Sequence, residues 1–329
     1  AAMRSVAGAL APKAAIVETL EALLVRNDFD CILLASPNYL HVDQLEQISA
    51  KAQVPILCEK PLYTTQEDAA RVERLAKTHA APVWVAMEYR YMPPVTAFIE
   101  RVAHVTGGIR MMTIREHRFP FLPKIGNWNR FAKYSGGTLV EKCCHHFDLM
   151  RHVLGSDPVR VMASAGQDEN HLNERYEGRV PDVWDNAYVV IDFANGARGM
   201  LDLCMFAEGG RYQEEILAVG PEGKLECFVP GPTRFWNRDL GPAPTPKLIE
   251  SPRRPVGPRE LNIPVDPMLL EAGDHNGSTY YQHIRFLEVV RGMGRVEVDL
   301  HDGAMAVMMG LAAQRSAATG QAVPIGQTF

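Results

Sequence analysis

The chain is predicted to be α/β: a small parallel-sheet domain followed by an α+β domain with a large, mostly antiparallel sheet. Three observations predict this. Short, nearly continuous apolar runs alternate with helical patterns over residues 1–92. Alternating runs in the middle flank the turn signatures Asn195-Gly196 and Pro221-Glu222-Gly223. Helical spacing then returns at the end of the chain. The expected boundary divides 1–92 from 93–329.

Helical stretches are expected at Ala1–Leu10 and Ala14–Leu24. The run from Phe29 to Ala35 is apolar enough for a strand buried on both faces, and Ser36-Pro37-Asn38 ends it. A helix to about Lys51 leads to a second strand, Pro55–Cys58, ending at Glu59-Lys60-Pro61. Thr64 and Glu67 have capping-box spacing before a helix carrying Ala69, Val72, Leu75 and Ala76 on one face. Val83–Met87 is the third strand. This order makes a parallel sheet with right-handed crossovers, whose ligands bind beyond the strands' carboxyl ends. After Pro93-Pro94, Ile109–Arg118 reads as a strand and Gly136–Leu154 as a helix entered through a glycine pair. Two hairpins follow, Ala187–Phe193 with Arg198–Met205 and Glu215–Val219 with Leu225–Phe228. The proline-rich 230–268 stretch reads as a long loop. Tyr281–Arg291 and a helix capped by Asp302 complete the chain.

A net charge of −5 offers no basic excess for phosphates, which argues against nucleic-acid binding. No apolar run approaches the ~20 residues of a membrane span. Six cysteines, none in a C-x-x-C pair, read as reduced core thiols of a cytoplasmic protein. No metal is expected, because adjacent side chains in Cys143-Cys144-His145-His146 diverge around a helix.

Five motifs in order carry a resemblance: DCILLASPNYLH (Asp30–His41), CEKPL (Cys58–Leu62), EYRYMP (Glu88–Pro93), GGTLVEKCCHHFDLMRHVLG (Gly136–Gly155) and GDHNGSTYYQHIRFLEVV (Gly273–Val290). The chain resembles the Gfo/Idh/MocA oxidoreductases, the glucose-fructose oxidoreductase and inositol dehydrogenase family, from about Ala15 to Ile325. The first domain is then a partial dinucleotide-binding, Rossmann-type domain. No G-x-G-x-x-G turn is found, so roughly sixty to seventy residues of the first βαβ unit have no counterpart. Truncation is the expected reason, since an open parallel edge is a hazard.

The resemblance implies an NAD- or NADP-dependent dehydrogenase acting on a hydroxyl or carbonyl carbon of a sugar, polyol or cyclitol. It implies Lys60, His145 and Glu141 as the catalytic group. Neutral histidine suits the hydroxyl proton, and an ammonium stabilises a developing alkoxide. Glu141 and His145 are four apart, hence on one helix face. Ser36, Pro37, Asn38, His41, Glu59, Lys60 and Arg90 are the expected cofactor contacts, although an ion pair is an equal reading for Arg90. Trp128, Arg130, Tyr134, Asp185 and His275 are the expected substrate contacts, with Asp182 a weaker one. His146 is assigned to packing or a secondary polar contact, and Asp148 to orienting an imidazole or bonding backbone. Glu141 and Cys143 depart from the family's aspartate and small residue. The expected partner is a small polyhydroxy molecule, and the expected assembly a homodimer or homotetramer. An NAD-dependent glycoside hydrolase of the same fold, a non-catalytic sugar or nucleotide sensor, and an inactive fragment are the rival readings.

Overall fold

The computed structural model describes residues 11–326 except 12 and 255. The helix expected over 1–10 lies outside them. Ala14–Leu24 is not one helix: α1 spans only Leu20–Arg26, because Thr19 caps it by accepting from the Ala22 N–H. Strands β1 (Ile32–Leu34), β2 (Ile56–Cys58) and β3 (Val83–Val85) form a parallel sheet in that order. Helices α2 (His41–Lys51) and α3 (Ala69–Thr78) connect them. Every residue of β2 and β3 is buried, as expected. Leu33 in β1 is 53% exposed, so burial on both faces fails there: among the described residues nothing covers that side. The capping box also fails. Thr64 is buried, and Thr65 donates to Asp68 Oδ2 (3.0 Å) in a 3₁₀ turn ahead of α3.

Pro93-Pro94 starts a helix. They occupy the first turn of α4 (Pro93–Thr106), where a missing N–H has no intrahelical partner to lose. A nine-stranded sheet follows: β4 (Met111–His117), β5 (Pro158–Gly166), β6 (Asn186–Phe193), β7 (Arg198–Cys204), β8 (Glu214–Val219), β9 (Gly223–Val229), β10 (Lys247–Pro252), β11 (Arg259–Asn262) and β12 (Val323–Pro324). Its order is β11-β10-β9-β8-β4-β7-β6-β5-β12. All neighbours are antiparallel except β4 and β7. Both hairpins form where the turns predict, with Gly196 at φ 83°. The 230–268 segment is no simple loop: β10 and β11 extend the sheet beyond β9.

The expected helix Gly136–Leu154 is broken. Helix α5 (Ala132–Ser135) ends at Gly136, then α6 (Thr138–Glu141) and α7 (Cys144–Leu154) are separated at Lys142–Cys143. After α8 (Pro267–Ala272) and α9 (Ser278–Val290), α10 (Leu300–Thr319) is capped by Asp299, which accepts from the Asp302 N–H (2.9 Å); Asp302 lies in the first turn. Ala304, Ala306 and Val307 of α10 belong to the parallel-sheet core, whereas Met309, Ala312 and Ala313 belong to the large-sheet core. One helix therefore joins both cores. Among the described residues no helix is long and apolar enough to cross a membrane.

Candidate active site

The helix break creates the site. The Glu141 carbonyl, at the end of α6, accepts from Lys60 Nζ (3.0 Å), which reaches across from the turn after β2. The ammonium and the Thr138–Leu154 segment thus meet at the carboxyl end of the parallel sheet. Glu141 is buried, and its Oε2 has no partner. Burial pushes its carboxyl up to about 7, against the pull of Lys60 and more distant cations. His145 is buried with both ring nitrogens unpartnered. Burial, reinforced by the Lys60 charge, holds its imidazole well below the usual range, so it is neutral at pH 7. Buried polar atoms without partners are rare, and three of them here feel the Lys60 charge.

Tyr89 and His275 pack around the His145 ring. The Tyr89 ring stacks on His145 (4.3 Å between centroids, 5° between planes). The His275 ring meets Tyr89 edge-on at 5.2 Å and lies 6.3 Å from His145. His275 Nδ1 is 2.6 Å from Glu88 Oε1, and Ser278 and Thr279 also donate to Glu88. Burial opposes ionisation of Glu88, but His275, Thr279 and the Lys60 charge bring its carboxyl down to about 2.

The expected cofactor contacts divide into two groups. Ser36, Pro37, Glu59 and Lys60 are half-buried at the ends of β1 and β2. Ser36 Oγ donates to Gln44 (2.6 Å), and burial, then the nearby Glu88 charge, raises the Glu59 carboxyl. Asn38 and His41 are braces. Asn38 Nδ2 donates to the Ser135 carbonyl (3.1 Å). The His41 ring nitrogens contact the Pro61 and Ser36 carbonyls (2.8 and 3.0 Å), tying the two turns together. Arg90 is the ion pair: it grips Asp148 at 2.7 and 2.5 Å and donates to the Glu297 carbonyl (2.8 Å). Asp148 accordingly orients a guanidinium, not an imidazole.

Several expected substrate contacts are structural. Asp185 accepts from the backbone N–H groups of Asp168, Glu169 and Asn170, holding the loop after β5. Arg130 is buried and bonds Glu174 (2.8 Å) and the Phe121 carbonyl (3.1 Å). Asp182 accepts from the Ala132 N–H at the start of α5 (2.6 Å). Their charges are already satisfied by protein groups. Trp128 and Tyr134 are half-buried and pack about Tyr39, at 6.4 and 5.1 Å.

A buried charged cluster behind Tyr89 escaped the sequence reading. Lys142 Nζ is 2.9 Å from Glu116 Oε1 and bonds the Tyr89 hydroxyl. Tyr89 Oη donates to Glu116 (3.2 Å) and Glu214 (3.5 Å). His146 Nε2 lies 2.7 Å from Glu116 Oε2, off the angle of a hydrogen bond. Burial lowers Lys142; burial and then the Glu116 charge raise Glu214. One signal was available: Glu116 shares strand parity with Met112 and Ile114, the inward face of β4.

A small parallel sheet followed by a large, mostly antiparallel one agrees with the family comparison. The Gfo/Idh/MocA model described as an oxidoreductase family, NAD-binding Rossmann fold, matches residues 2–87. Its companion, the C-terminal alpha/beta domain, matches residues 100–325. The chain belongs to the Gfo/Idh/MocA oxidoreductase family. Among its relatives, the inositol 2-dehydrogenase of Rhizobium meliloti (strain 1021) is 28% identical over 226 residues, 68% of this chain but only 64% of that protein. The 1,5-anhydro-D-fructose reductase of Ensifer adhaerens is 25% identical over 314 residues, covering 94% and 84%. A levoglucosan dehydrogenase solved in complex with NADH and levoglucosan shares the fold, with TM-score 0.80 and 19% identity over 99% of this chain and 88% of that one.

Proposed function

We propose that the protein is an NAD- or NADP-dependent dehydrogenase that oxidises a carbinol, or reduces the matching carbonyl, of a sugar, polyol or cyclitol. One observation supports this reading: Lys60 Nζ bonds the Glu141 carbonyl at the strand ends, and its charge acts on both the buried Glu141 carboxyl and the unpartnered His145 ring. Neutral His145 accepts the hydroxyl proton, because its imidazole is neutral at working pH. Lys60, aimed by the Glu141 carbonyl, donates to the oxygen as negative charge develops on it. Glu141 accepts a neighbouring hydroxyl, and His275, tethered by Glu88, contacts another. A bound nicotinamide ring supplies the hydride acceptor or donor. Ser36, Pro37, Glu59 and Lys60 would hold its end of the cofactor, braced by Asn38 and His41. Among the described residues no glycine-rich turn is present for the pyrophosphate.

The other parts of this reading rest on burial and thiol state. The nine-stranded sheet leaves Met111, Met162, Tyr188 and Met200 exposed on its outer face, which supports a homo-oligomer closed over that face. Six free cysteines fit a reducing, cytoplasmic setting. The test is a screen of polyols, monosaccharides, anhydrosugars and inositols with NAD⁺ and NADP⁺, following reduced nicotinamide absorbance. At least one class should turn over, and Lys60→Met and His145→Ala should each lower kcat about 10²-fold or more. Absence of turnover across the panel, or full activity in both variants, would overturn the proposal.

A further inference from the structure

Among the described residues nothing hydrogen-bonds the His145 ring into place, since both its nitrogens are without partners. Its plane is set instead by the Tyr89 ring lying parallel to it at 4.3 Å. Tyr89 is itself held from three elements. Lys142, from the helix break, bonds its hydroxyl. Glu116 on β4 and Glu214 on β8 accept from the hydroxyl. Gln213 then donates to Glu214 at 2.6 Å. These groups are all buried. Filling the same space with apolar side chains would avoid the desolvation of so many charges, so the cluster calls for a purpose other than stability.

We infer that Tyr89 is the positioning residue of His145, clamped from behind by the Lys142–Glu116 pair. This rests on the dehydrogenase reading, in which His145 receives the proton. The clamp supplies an orientation that hydrogen bonds do not. The ring's π face also lies against the imidazole as it gains positive charge, an arrangement that favours the cation. The charged and titratable groups around His145 are Lys60 from the turn after β2, Glu141 and Lys142 at the helix break, the adjacent His146, and His275 ahead of α9. Tyr89 is the one that covers its face.

Two variants of the full chain separate positioning from simple space-filling. Tyr89→Phe keeps the ring and loses the hydroxyl anchor; Tyr89→Leu loses the ring. Histidine ¹⁵N resonances report the protonation of His145 with or without a ligand. Kinetics with NAD⁺ and NADP⁺ use the polyol or sugar that native protein accepts from the panel above. For Tyr89→Leu we expect kcat to fall roughly 30–100-fold with KM changed less than about threefold, the cost of a misplaced reacting group. Its His145 titration should rise, because water reaching the ring relieves the burial that chiefly lowers it and outweighs the lost π face. Tyr89→Phe, with the ring but not the clamp, should recover most of the Leu loss without reaching native values. A Leu variant with native kcat and native His145 titration would overturn the inference, as would a Phe variant no better than Leu. If native protein turns over nothing on the panel, the dehydrogenase reading fails, while the histidine titration still decides whether Tyr89 governs the ring.

Discussion

Glu141 provides the sharpest test of the site's electrostatics. Burial raises its carboxyl from 4.5 to about 7, despite Lys60 close by. At ~1.4 kcal/mol per pH unit, that displacement amounts to about 3 kcal/mol between the two protonation states. The sign follows from linkage. A carboxyl whose folded value is raised stabilises the fold fully below about 4.5, and this contribution is lost as pH rises through about 7. Other buried carboxyls, including Glu59 and Glu214, are raised too, so the pH slope of the native protein belongs to no single residue. Glu141→Gln isolates it. The amide keeps the side chain's length and cannot ionise. Urea denaturation of both proteins at closely spaced pH values between 4 and 8.5 gives the difference in unfolding free energy. Between pH 4.5 and 7.5 the native protein should lose about 3 kcal/mol relative to Glu141→Gln, with a flat difference on either side. Parallel stability curves would refute the burial argument, and with it the claim that an unpartnered Oε2 is held there for a polar ligand.

Other predictions concern the framework that holds this site. Arg90→Met leaves Asp148 buried and unpaired, and should cost about 3–5 kcal/mol by urea denaturation, with part recovered in Arg90→Met/Asp148→Leu. A Cβ at Gly310 would fall 2.4 Å from the Leu139 carbonyl oxygen, where α10 crosses α6. Gly310→Ala should therefore destabilise by about 1–3 kcal/mol despite alanine's better helix propensity, and a neutral or raised Tm would contradict that close crossing.

The parallel strands were legible because β2 and β3 are buried on both faces and their apolar runs are nearly unbroken. Asn195-Gly196 announced its hairpin through backbone that favours φ > 0. Other features depend on partners distant in sequence. β10 and β11 lie in a proline-rich stretch and gain their order by pairing beside β9. Helix α4 begins at a Pro-Pro pair that punctuates as readily as it initiates. The break at Lys142–Cys143 carries neither glycine nor proline, yet it exposes the carbonyl that aims Lys60. Among the site residues, motif order pointed to Lys60, Glu141 and His145, of which Lys60 bonds the Glu141 carbonyl. It could not separate them from Arg90, Arg130 and Asp185, whose charges are satisfied by Asp148, Glu174 and a row of backbone amides. Residue type suggests polar chemistry, but only the partner shows whether that chemistry is already spent.

The central claim is that one carbinol oxygen sits between the Lys60 ammonium and the His145 imidazole. A crystal structure of the protein with oxidised cofactor and the polyol or sugar it turns over, or a non-reacting deoxy analogue, tests it directly. The account predicts a substrate oxygen within about 3 Å of both Lys60 Nζ and a His145 ring nitrogen, with Glu141 Oε2 on a neighbouring hydroxyl. A substrate bound elsewhere, with those polar atoms still unpartnered, would contradict it.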